Sequence, residues 1–269
     1  MAKRVEDPYE LLERGSREHY DDATYYDYTY RNLREDVEFY RRRARRSGGP
    51  ILELGVGTGR VAMALADDGH EVVGLDMSPV MLERARLRTK MLTRGKVTLR
   101  AGDIRSFRLR RRFPLIVSPF NVLLHLYEPE DFARCFECVA RHLAPGGRFV
   151  FDVRVPDPRE LARDPDRVYV GRPFVHPSLG CKVRYTEQFR YDPIKQVQHV
   201  TIRFTPEKRG VKAVETLLTQ RQIFPAELRT LLRLGGLQLK ARYGDFTGRP
   251  LAPGDSLAVV EAARIGDAA

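Results

Sequence analysis

Short hydrophobic runs alternate with amphipathic segments through the middle of the chain. Between about residues 51 and 152, apolar runs of strand length alternate with segments whose apolar positions recur at helical spacing. The predicted strands and helices, in chain order, are Ile51–Leu54, Arg60–Asp68, Val72–Leu75, Pro79–Leu92, Val97–Ala101, Leu115–Ser118, Asp131–Leu143 and Arg148–Asp152. Because such alternation is typical of parallel sheets with helices on both faces, the sequence predicts an α/β fold with a doubly wound sheet.

The segments on either side of this region have different patterns. Residues 8–46 mix aromatic and charged residues, and residues 32–46 have helical periodicity, so residues 1–47 are predicted to form an N-terminal helical cap. Strand-like alternation returns in three runs joined by turn sequences, Lys182–Tyr191, Gln196–Thr205 and Val211–Ile223. A helix, Pro225–Leu234, and two strands, Leu237–Tyr243 and Ser256–Ala262, follow. We therefore predict a core of residues 48–155 and 224–269, with an antiparallel insertion over residues 156–223.

Three alternate glycines, Gly55, Gly57 and Gly59, separate the first predicted strand from the first helix of the core. A loop without side chains lets a ligand lie on backbone N–H groups at the positive end of a helix. The spacing differs from the G-x-G-x-x-G of dinucleotide loops, and no Lys-Ser or Lys-Thr pair closes a nucleotide-triphosphate loop. Asp76 ends the second strand, where doubly wound folds bind ribose hydroxyls.

Four motifs together resemble the class I S-adenosylmethionine-dependent methyltransferases. They are Glu53–Gly59, Asp76–Leu82, Gly102–Ile104 and Leu143–Gly147. The resemblance implies S-adenosylmethionine as cofactor, a Rossmann-like, mostly parallel sheet of seven strands, and a lid formed by the insertion over the mouth of the cofactor site. The cofactor-binding residues expected in the core are Glu53, Gly55, Gly57, Thr58, Gly59, Arg60, Asp76, Met77, Gly102, Asp103, Ile104, Ser118 and Phe120. The alternative, a tight turn and capping aspartates without a ligand, does not account for the order of the four motifs.

The N-terminal segment His19–Arg31 is rich in tyrosine. Its Tyr25-Tyr26-Asp27 stretch resembles the Tyr-Asp signature of small-molecule methyltransferases, in which this region closes over the cofactor. We expect Tyr20 and Tyr26 to contact the sulfonium through ring faces and hydroxyls, and Arg31 to pair with the methionyl carboxylate. Packing of the cap is the alternative for these tyrosines, and we expect it for at least half of them.

The segment after the fourth strand holds the candidate catalytic residues. Its Ser118-Pro119-Phe120-Asn121 sequence departs from the Asn/Asp-Pro-Pro-Tyr/Phe motif of DNA and glutamine methyltransferases, whereas Phe-Asn followed by Leu-His resembles the subgroup that methylates small amines, such as glycine-type and amino-sugar N-methyltransferases. We expect in-line transfer to nitrogen, with oxygen as the second choice of acceptor. The catalytic candidates are His125 as general base, Asn121 and Tyr26. A packing role is the alternative for His125.

The first strand of the insertion has two faces that differ in chemistry. Alternation places Arg184, Gln188 and Arg190 on one face and Tyr185 and Glu187 on the other. The sequence leaves open which face lines the acceptor site.

Composition limits the remaining functional classes. The chain has 269 residues, 42% hydrophobic and 31% charged, with no 18-residue apolar run and no signal peptide, so a cytoplasmic protein without a membrane partner is expected. The cysteines are Cys135, Cys138 and Cys181, whose spacing predicts packing roles, and no metal site is expected.

The net charge of +11 raises the alternative of an RNA methyltransferase. The arginines concentrate in Arg41–Arg46 and between Arg100 and Arg112, but no RNA-binding module is recognisable. A small-molecule acceptor remains the favoured partner. A third alternative is a methyltransferase-like subunit that binds cofactor for stability without catalysis, and the oligomeric state is left open.

Overall fold

A computed structural model describes residues 8–267, which divide into two compact units. The core unit contains Asn32–Pro156 and residues 223–267, and the insertion unit contains residues 8–31 and Asp157–Gln222. The division places residues 32–47 with the sheet and not with the predicted N-terminal cap. The physical reason is packing, because Phe39 and Tyr40 of this segment are buried in a hydrophobic cluster of the core unit.

The helices and strands follow the chain in this order within residues 8–267. The α-helices are α1 (Pro8–Gly15), α2 (Ala23–Tyr30), α3 (Glu35–Ser47), α4 (Arg60–Asp67), α5 (Pro79–Thr89), α6 (Pro129–His142), α7 (Pro158–Leu161) and α8 (Leu228–Leu234). The strands are β1 (Ile51–Leu54), β2 (Glu71–Asp76), β3 (Lys96–Ala101), β4 (Phe113–Ser118), β5 (Leu143–Arg154), β6 (Tyr169–Val170), β7 (Phe174–His176), β8 (Cys181–Asp192), β9 (Val197–Pro206), β10 (Val214–Arg221), β11 (Leu237–Tyr243) and β12 (Leu257–Arg264). Short 3₁₀ helices cover Glu18–Tyr20 and Val122–His125.

The core unit is built on a sheet that, in the described residues, has seven strands in the order β3-β2-β1-β4-β5-β12-β11. The strands β1 to β5 pair in parallel, and β12 runs antiparallel to both of its neighbours. The predicted α/β class, with a mostly parallel sheet of seven strands, is confirmed. Because β1 is central, the carboxyl ends of β1, β2, β3 and β4 meet at one edge of the sheet, where the predicted cofactor residues follow them.

Alternation along the central strands separates two hydrophobic clusters. Ile51 packs with Leu115 and Val117 in one cluster, whereas Leu52 and Leu54 pack in the other. Successive side chains of a strand point to opposite faces, so these clusters are the two helix-covered layers of the core. All four residues of β1 are fully or nearly fully buried, and all of them except Glu53 are apolar.

Local sequence signals fix the starts of the helices that follow the strands. The Ser78 side chain accepts a hydrogen bond from the Met81 backbone N–H at 3.3 Å, and Pro79 occupies the first turn of α5. Gly59 occupies the N-cap of α4 with a left-handed backbone, φ +84°. Both helices therefore begin at the same sheet edge. The backbone N–H groups of their first turns lie beside the ends of β1 and β2.

The insertion unit contains an antiparallel sheet in the order β10-β9-β8-β6, with β7 also pairing with β8. Its apolar face includes Val183, Ile202 and Phe204, which are buried in a cluster with Tyr25 of α2. Arg184, Gln188 and Arg190 are exposed, whereas Tyr185 and Glu187 are half-buried on the other face of β8. The structure therefore shows that the Tyr185–Glu187 face is the inner one within this unit.

Three short elements of the insertion unit were not predicted. The segment after residue 156 contains α7, β6 and β7, where the sequence indicated only a stretch rich in proline and aspartate. The strands β6 and β7 have only two and three residues, and their ladder partners are supplied by the long strand β8. Strands this short carry no readable periodicity of their own. Separately, of the helices in the described residues, none is both long and apolar enough to cross a membrane.

Candidate functional site

The loop between β1 and α4 adopts a backbone that only glycine enters readily. Gly55, Gly57 and Gly59 have φ angles of +69°, +54° and +84°. A Cβ atom built on Gly55 would lie 2.4 Å from a methyl group of Val122, so this position is closed by the segment after β4. A Cβ built on Gly57 meets no atom within 4 Å, so the backbone there borders open space in which a ligand could lie.

Glu53 lies directly beneath this loop with an unsatisfied oxygen. The side chain is 2% exposed, and its Oε2 has no hydrogen-bond partner among residues 8–267. Burial raises the pKa of Glu53 well above its usual value, an effect that the positive charge of Arg60 partly offsets. A buried acid with a free acceptor costs stability unless a ligand satisfies it, so this oxygen marks a place for a donor or a cation.

Asp76, at the end of β2, is hydrogen-bonded to the glycine loop. Its carboxylate accepts hydrogen bonds from the Gly57 N–H at 2.7 Å and from the Ser78 N–H at 2.8 Å. Burial raises the pKa of Asp76, against these backbone hydrogen bonds. The next residue, Met77, is 46% exposed although it is a large apolar side chain. Asp76 and Met77 thus place an acid and an apolar surface side by side at the end of β2.

The turn after β3 is held by ion pairs. Asp103 accepts from the Arg105 guanidinium at 2.6 Å and from the Arg105 backbone N–H at 2.8 Å. Burial by itself raises the pKa of Asp103, but Arg105 outweighs it and holds the pKa below its usual value. Gly102 donates its N–H to the Asp76 carbonyl at 2.9 Å, which ties this turn to the end of β2, and Ile104 is half-buried against the core.

Thr58 and Arg60 are held by groups of the core unit. The Arg88 guanidinium donates to the Thr58 hydroxyl at 3.1 Å, and Thr58 is buried. Arg60 donates to both carboxylate oxygens of Asp36, at 2.7 and 2.5 Å, and Asp36 is buried. A bidentate pair of this kind fixes the start of α4 against α3.

The segment after β4 has a backbone that is costly for its residue types. Phe120 and Asn121 have φ angles of +62° and +64°, although neither is glycine. The Phe120 N–H donates to both oxygens of Asp152 at 3.0 Å, and the Asn121 side-chain oxygen accepts from the Arg154 N–H at 2.7 Å. Such consecutive left-handed residues persist only where surrounding contacts over-determine them, and they cluster at functional sites.

Asp152 is the anchor of this segment. It is fully buried at the end of β5, and the Tyr40 hydroxyl donates to its Oδ1 at 2.6 Å. Burial raises the pKa of Asp152 to about 6, with the Tyr40 hydrogen bond acting in the opposite direction. Asp152 and Tyr40 were not among the predicted site residues. Asp152 could have been found by the signal that indicated Asp76, an acid ending a core strand at the same sheet edge, whereas Tyr40 carries no such signal.

The remaining predicted residues fall in both units. His125 is half-buried at the end of the 3₁₀ helix after β4, and Ser118 is buried with its hydroxyl 3.4 Å from the Leu54 carbonyl. Tyr20, Tyr26 and Arg31 belong to the insertion unit. The Tyr20 and Tyr26 rings lie 5.9 Å apart, and the Arg31 guanidinium lies 4.0 Å from the centre of the Tyr28 ring. Their roles toward the cofactor stay predictions.

The arginine clusters form many contacts inside the core unit. Arg43 pairs with Glu261 at 3.3 Å, and Arg45 pairs with Asp68 at the same distance. In the second cluster, Arg111 pairs with Glu71 at 2.7 Å. Arginines that neutralise carboxylates of their own unit are less available for phosphates, which weighs against an RNA-binding surface.

The comparisons with known proteins agree with this geometry. A family described as "Methyltransferase domain" matches residues 51–147. The cypemycin N-terminal methyltransferase of a Streptomyces species is 27% identical over 215 residues, which cover 76% of this chain and 78% of that protein. The CcbJ methyltransferase from Streptomyces caelestis has a similar structure, with a TM-score of 0.73 and 27% identity over 86% of this chain and 88% of that one.

A third comparison bears on the cofactor. The glycopeptide N-methyltransferase MtfA, solved with S-adenosylmethionine bound, is 25% identical to this chain, with a TM-score of 0.57 and coverage of 86% of this chain and 87% of that one. The residues of the loop fit this cofactor, because an unpartnered buried carboxylate suits its cationic amino group and an open glycine backbone leaves room for the molecule. The predicted cofactor and the predicted resemblance to N-methyltransferases are confirmed. Residues 51–147 of this chain match a methyltransferase domain, and the chain resembles the class I S-adenosylmethionine-dependent methyltransferases.

Proposed function

We propose that the chain transfers a methyl group to an amine nitrogen of a small molecule. The observation that carries the proposal is the extent of the similarity to the cypemycin N-terminal methyltransferase. The methyltransferase domain accounts for residues 51–147, whereas the similarity to that enzyme covers 76% of the chain. It therefore extends into segments outside the cofactor domain, where methyltransferases of this class select their acceptors. MtfA is likewise an N-methyltransferase.

In this proposal the sheet edge of the core unit holds the cofactor. Glu53 accepts a hydrogen bond from the amino group, the backbone around Gly57 supports the methionyl part, and Asp76 binds the ribose hydroxyls. Met77 and Ile104 offer apolar surface to the adenine. The other residues of this loop contribute to cofactor binding indirectly, by shaping the loop and fixing the start of α4. They are Gly55, Thr58, Gly59 and Arg60.

When held by Glu53, Gly57 and Asp76, the cofactor would supply a methyl group activated by its carbon–sulfur bond to a sulfonium. The task of the chain is to hold a neutral amine in line with that bond, because orientation supplies much of the rate of a displacement. The strained Phe120-Asn121 segment, anchored by Asp152, provides a rigid wall at the end of β4. The amine gains one carbon–nitrogen bond and releases one proton.

His125, Asn121 and Tyr26 are the proposed catalytic residues. His125 could take the proton of the amine, as its side chain is suited to act near neutral pH. Because the Asn121 side-chain oxygen already accepts from the Arg154 N–H, its amide nitrogen is the group left for an acceptor. Tyr26 is assigned to the sulfonium side through its ring face.

A transfer assay with paired acceptors tests the proposal. The full chain is incubated with methyl-labelled S-adenosylmethionine and with primary amines, namely a peptide with a free N-terminus and an amino sugar, each beside its hydroxyl analogue. Label is expected only in the amines. Label in the hydroxyl compounds alone would contradict nitrogen as the acceptor, and cofactor binding without any transfer would favour a non-catalytic subunit.

A second assay addresses the RNA alternative. Binding of a mixed RNA pool is measured at two salt concentrations, with the wild type and with a variant in which Arg45 and Arg46 are changed to glutamine. We expect weak RNA binding that the variant does not alter. Tight RNA binding that is lost in the variant and at high salt would favour the RNA methyltransferase.

A further inference from the structure

The insertion unit contains a half-buried carboxylate on the inner face of its sheet. Glu187 and Tyr185 lie two residues apart on β8 and therefore point to the same face. The Tyr185 hydroxyl donates a hydrogen bond to Glu187 Oε1. On the opposite face of the strand, Arg184 and Gln188 are exposed. An acid on the inner face of a sheet is an exception that requires a physical reason.

Glu187 lacks the counter-ion that Glu207 and Glu215 of the same unit have. Among residues 8–267, Tyr185 is its only hydrogen-bond partner, and no lysine, arginine or histidine forms an ion pair with it. By contrast, Glu207 pairs with Lys182 at 3.3 Å and Glu215 pairs with Arg203 at 3.6 Å, and both of these acids are exposed. Withdrawing a carboxylate from water without a counter-ion is unfavourable, so the site is suited to a cation from outside the chain.

One tyrosine contacts this carboxylate, and two more lie within range of its charge. Burial raises the pKa of Tyr30 to about 12 and also raises the pKa of Tyr25 and Tyr185, and the negative charge of Glu187 adds to the increase in all three. A charge acts in this way only on near neighbours. We call these four residues, Glu187, Tyr25, Tyr30 and Tyr185, the Glu187 cluster.

Further aromatic rings fix the cluster in place. The Tyr25 ring stacks on His176 with the ring centres 4.8 Å apart, and it meets Phe204 at 4.9 Å. The Tyr185 ring meets Phe204 at 5.5 Å. Phe204 is thus shared between two tyrosines of the cluster, which limits the freedom of both rings. Ring faces held beside a carboxylate form the kind of surface that binds alkylammonium groups.

The nearby histidine does not supply the missing charge. His19 is buried, its Nε2 lies 3.4 Å from the Tyr30 hydroxyl, and its Nδ1 has no hydrogen-bond partner within the described residues. Burial lowers the pKa of His19 to about 4, so the ring is neutral at neutral pH. It adds a polar group without a positive charge, and the cluster remains net acidic.

We propose that the Glu187 cluster recognises a cationic amine of the acceptor, so that the substrate class is a protonated alkylamine. This inference rests on the proposed transfer to nitrogen and adds the side chains that select for it. The carboxylate supplies charge, the tyrosine faces supply cation–π contacts, and a neutral hydroxyl compound of the same shape gains neither. The ammonium gives its proton to water before the transfer, so the cluster acts in binding and the neutral amine is the nucleophile.

The test compares a cation with its neutral isostere. Binding of choline and of 3,3-dimethylbutan-1-ol to the full chain is measured by titration calorimetry. We expect choline to bind about tenfold more tightly than the alcohol, the factor that a partly desolvated cation–π and carboxylate contact provides. Glu187→Gln should reduce the difference to about threefold or less, the part that the tyrosine rings alone provide. Equal binding of the two probes to the wild type, or no choline binding, would overturn the proposal.

Two variants separate this effect from damage to the fold and from general electrostatics. Glu215→Gln removes the same charge from an exposed position of the same sheet and should keep the preference for choline. Tyr185→Phe keeps the ring and frees Glu187 Oε1, so choline binding should stay within about threefold of the wild type. A loss of preference in Glu215→Gln equal to that in Glu187→Gln, or its loss in Tyr185→Phe, would contradict the assignment.

Cofactor binding provides the last control. Glu187→Gln is expected to leave the affinities for S-adenosylmethionine and S-adenosylhomocysteine unchanged. A selective loss of affinity for the sulfonium compound would assign the cluster to the cofactor and overturn the proposal. Because choline binding is measured without methyl transfer, a chain that discriminates choline but methylates no amine would count against the proposed function alone.

Discussion

The two units of the chain place their polar groups by different rules. In the core unit, the ends of parallel strands bring Glu53, Asp76 and Asp152 to one edge of the sheet, whichever face each side chain occupies. In the insertion unit, an antiparallel sheet separates its polar residues by face, so Glu187 is half-buried and Arg190 is exposed on the same strand. Position along the strand therefore determines which polar groups come together in the core unit. In the insertion unit, the face of the sheet determines it.

The largest expected effect concerns the open glycine of the core unit. Gly57→Ala introduces a methyl group where no atom lies within 4 Å, so it fills the space assigned to the cofactor. Gly146→Ala is the matched control, because Gly146 also has a positive φ, +71°, and also has no atom within 4 Å. Both changes carry a similar backbone strain of about 1 kcal/mol.

Calorimetric titration with S-adenosylhomocysteine distinguishes the two glycine variants. We expect affinity to fall about a hundredfold in Gly57→Ala, equivalent to about 2.7 kcal/mol, and to change little in Gly146→Ala. Equal affinities in the two variants would show that the loop backbone does not contact the cofactor.

The next effect compares the loss of one carboxylate from each unit, Glu53 and Glu187. Glu53→Gln removes the charge assigned to the cofactor amino group, and the affinity for S-adenosylhomocysteine should fall about tenfold or more, because a buried charge-assisted hydrogen bond contributes about 1.5–3 kcal/mol. Glu187→Gln should leave that affinity unchanged. Measured side by side with choline binding, the two variants should show opposite patterns. A fall in cofactor affinity in both would remove the distinction between the units.

A pH titration of stability tests the anchor of the strained segment. The folded-state pKa of Asp152, about 6, is above its unfolded value, so protonation favours the folded chain and its contribution is lost as pH rises through about 6. The free energy of unfolding of the wild type relative to Asp152→Asn should therefore rise as pH falls from about 7 to 4, by on the order of 3 kcal/mol.

Asp255 should change the free energy of unfolding with pH in the opposite direction, so it serves as the control for this titration. Its pKa is lowered, chiefly by the hydrogen bond from Arg249, so any stabilisation it gives is lost as pH falls. Relative to Asp255→Asn, the wild type should change little between pH 7 and about 4 and should lose stability only below about 4, where the unfolded chain binds the proton first. Denaturant unfolding at a series of pH values measures both, and parallel slopes would contradict the assignment for Asp152.

The smallest effect concerns the exposed face of β8. Arg190→Ala and Gln188→Ala change residues that the structure places on the outer side of the sheet, and surface substitutions of this kind alter stability by less than about 0.5 kcal/mol. The Kd for choline should change by less than about twofold. A large effect of either substitution would show that the outer face takes part in recognition.

The same difference between the units explains what the sequence could predict. The core strands were predicted within two residues, except β5, which begins at Leu143 and not at the predicted Arg148. Asp76 was identified because it ends an apolar run beside a glycine loop. Asp152 ends a run too, but no adjacent motif drew attention to it, and Tyr40 reaches it from α3, 112 residues away. In the insertion unit, alternation separated Arg184 from Tyr185, yet only packing against Phe204 shows which of the two is inside.

The central claim, that the parallel sheet edge of the core unit holds the cofactor through Glu53 and Asp76, is tested most directly by a crystal structure with S-adenosylhomocysteine. We expect the amino group of the ligand within hydrogen-bond distance of Glu53 Oε2 and a ribose hydroxyl within hydrogen-bond distance of the Asp76 carboxylate. A ligand bound away from both carboxylates, with Glu53 Oε2 still without a partner, would contradict it.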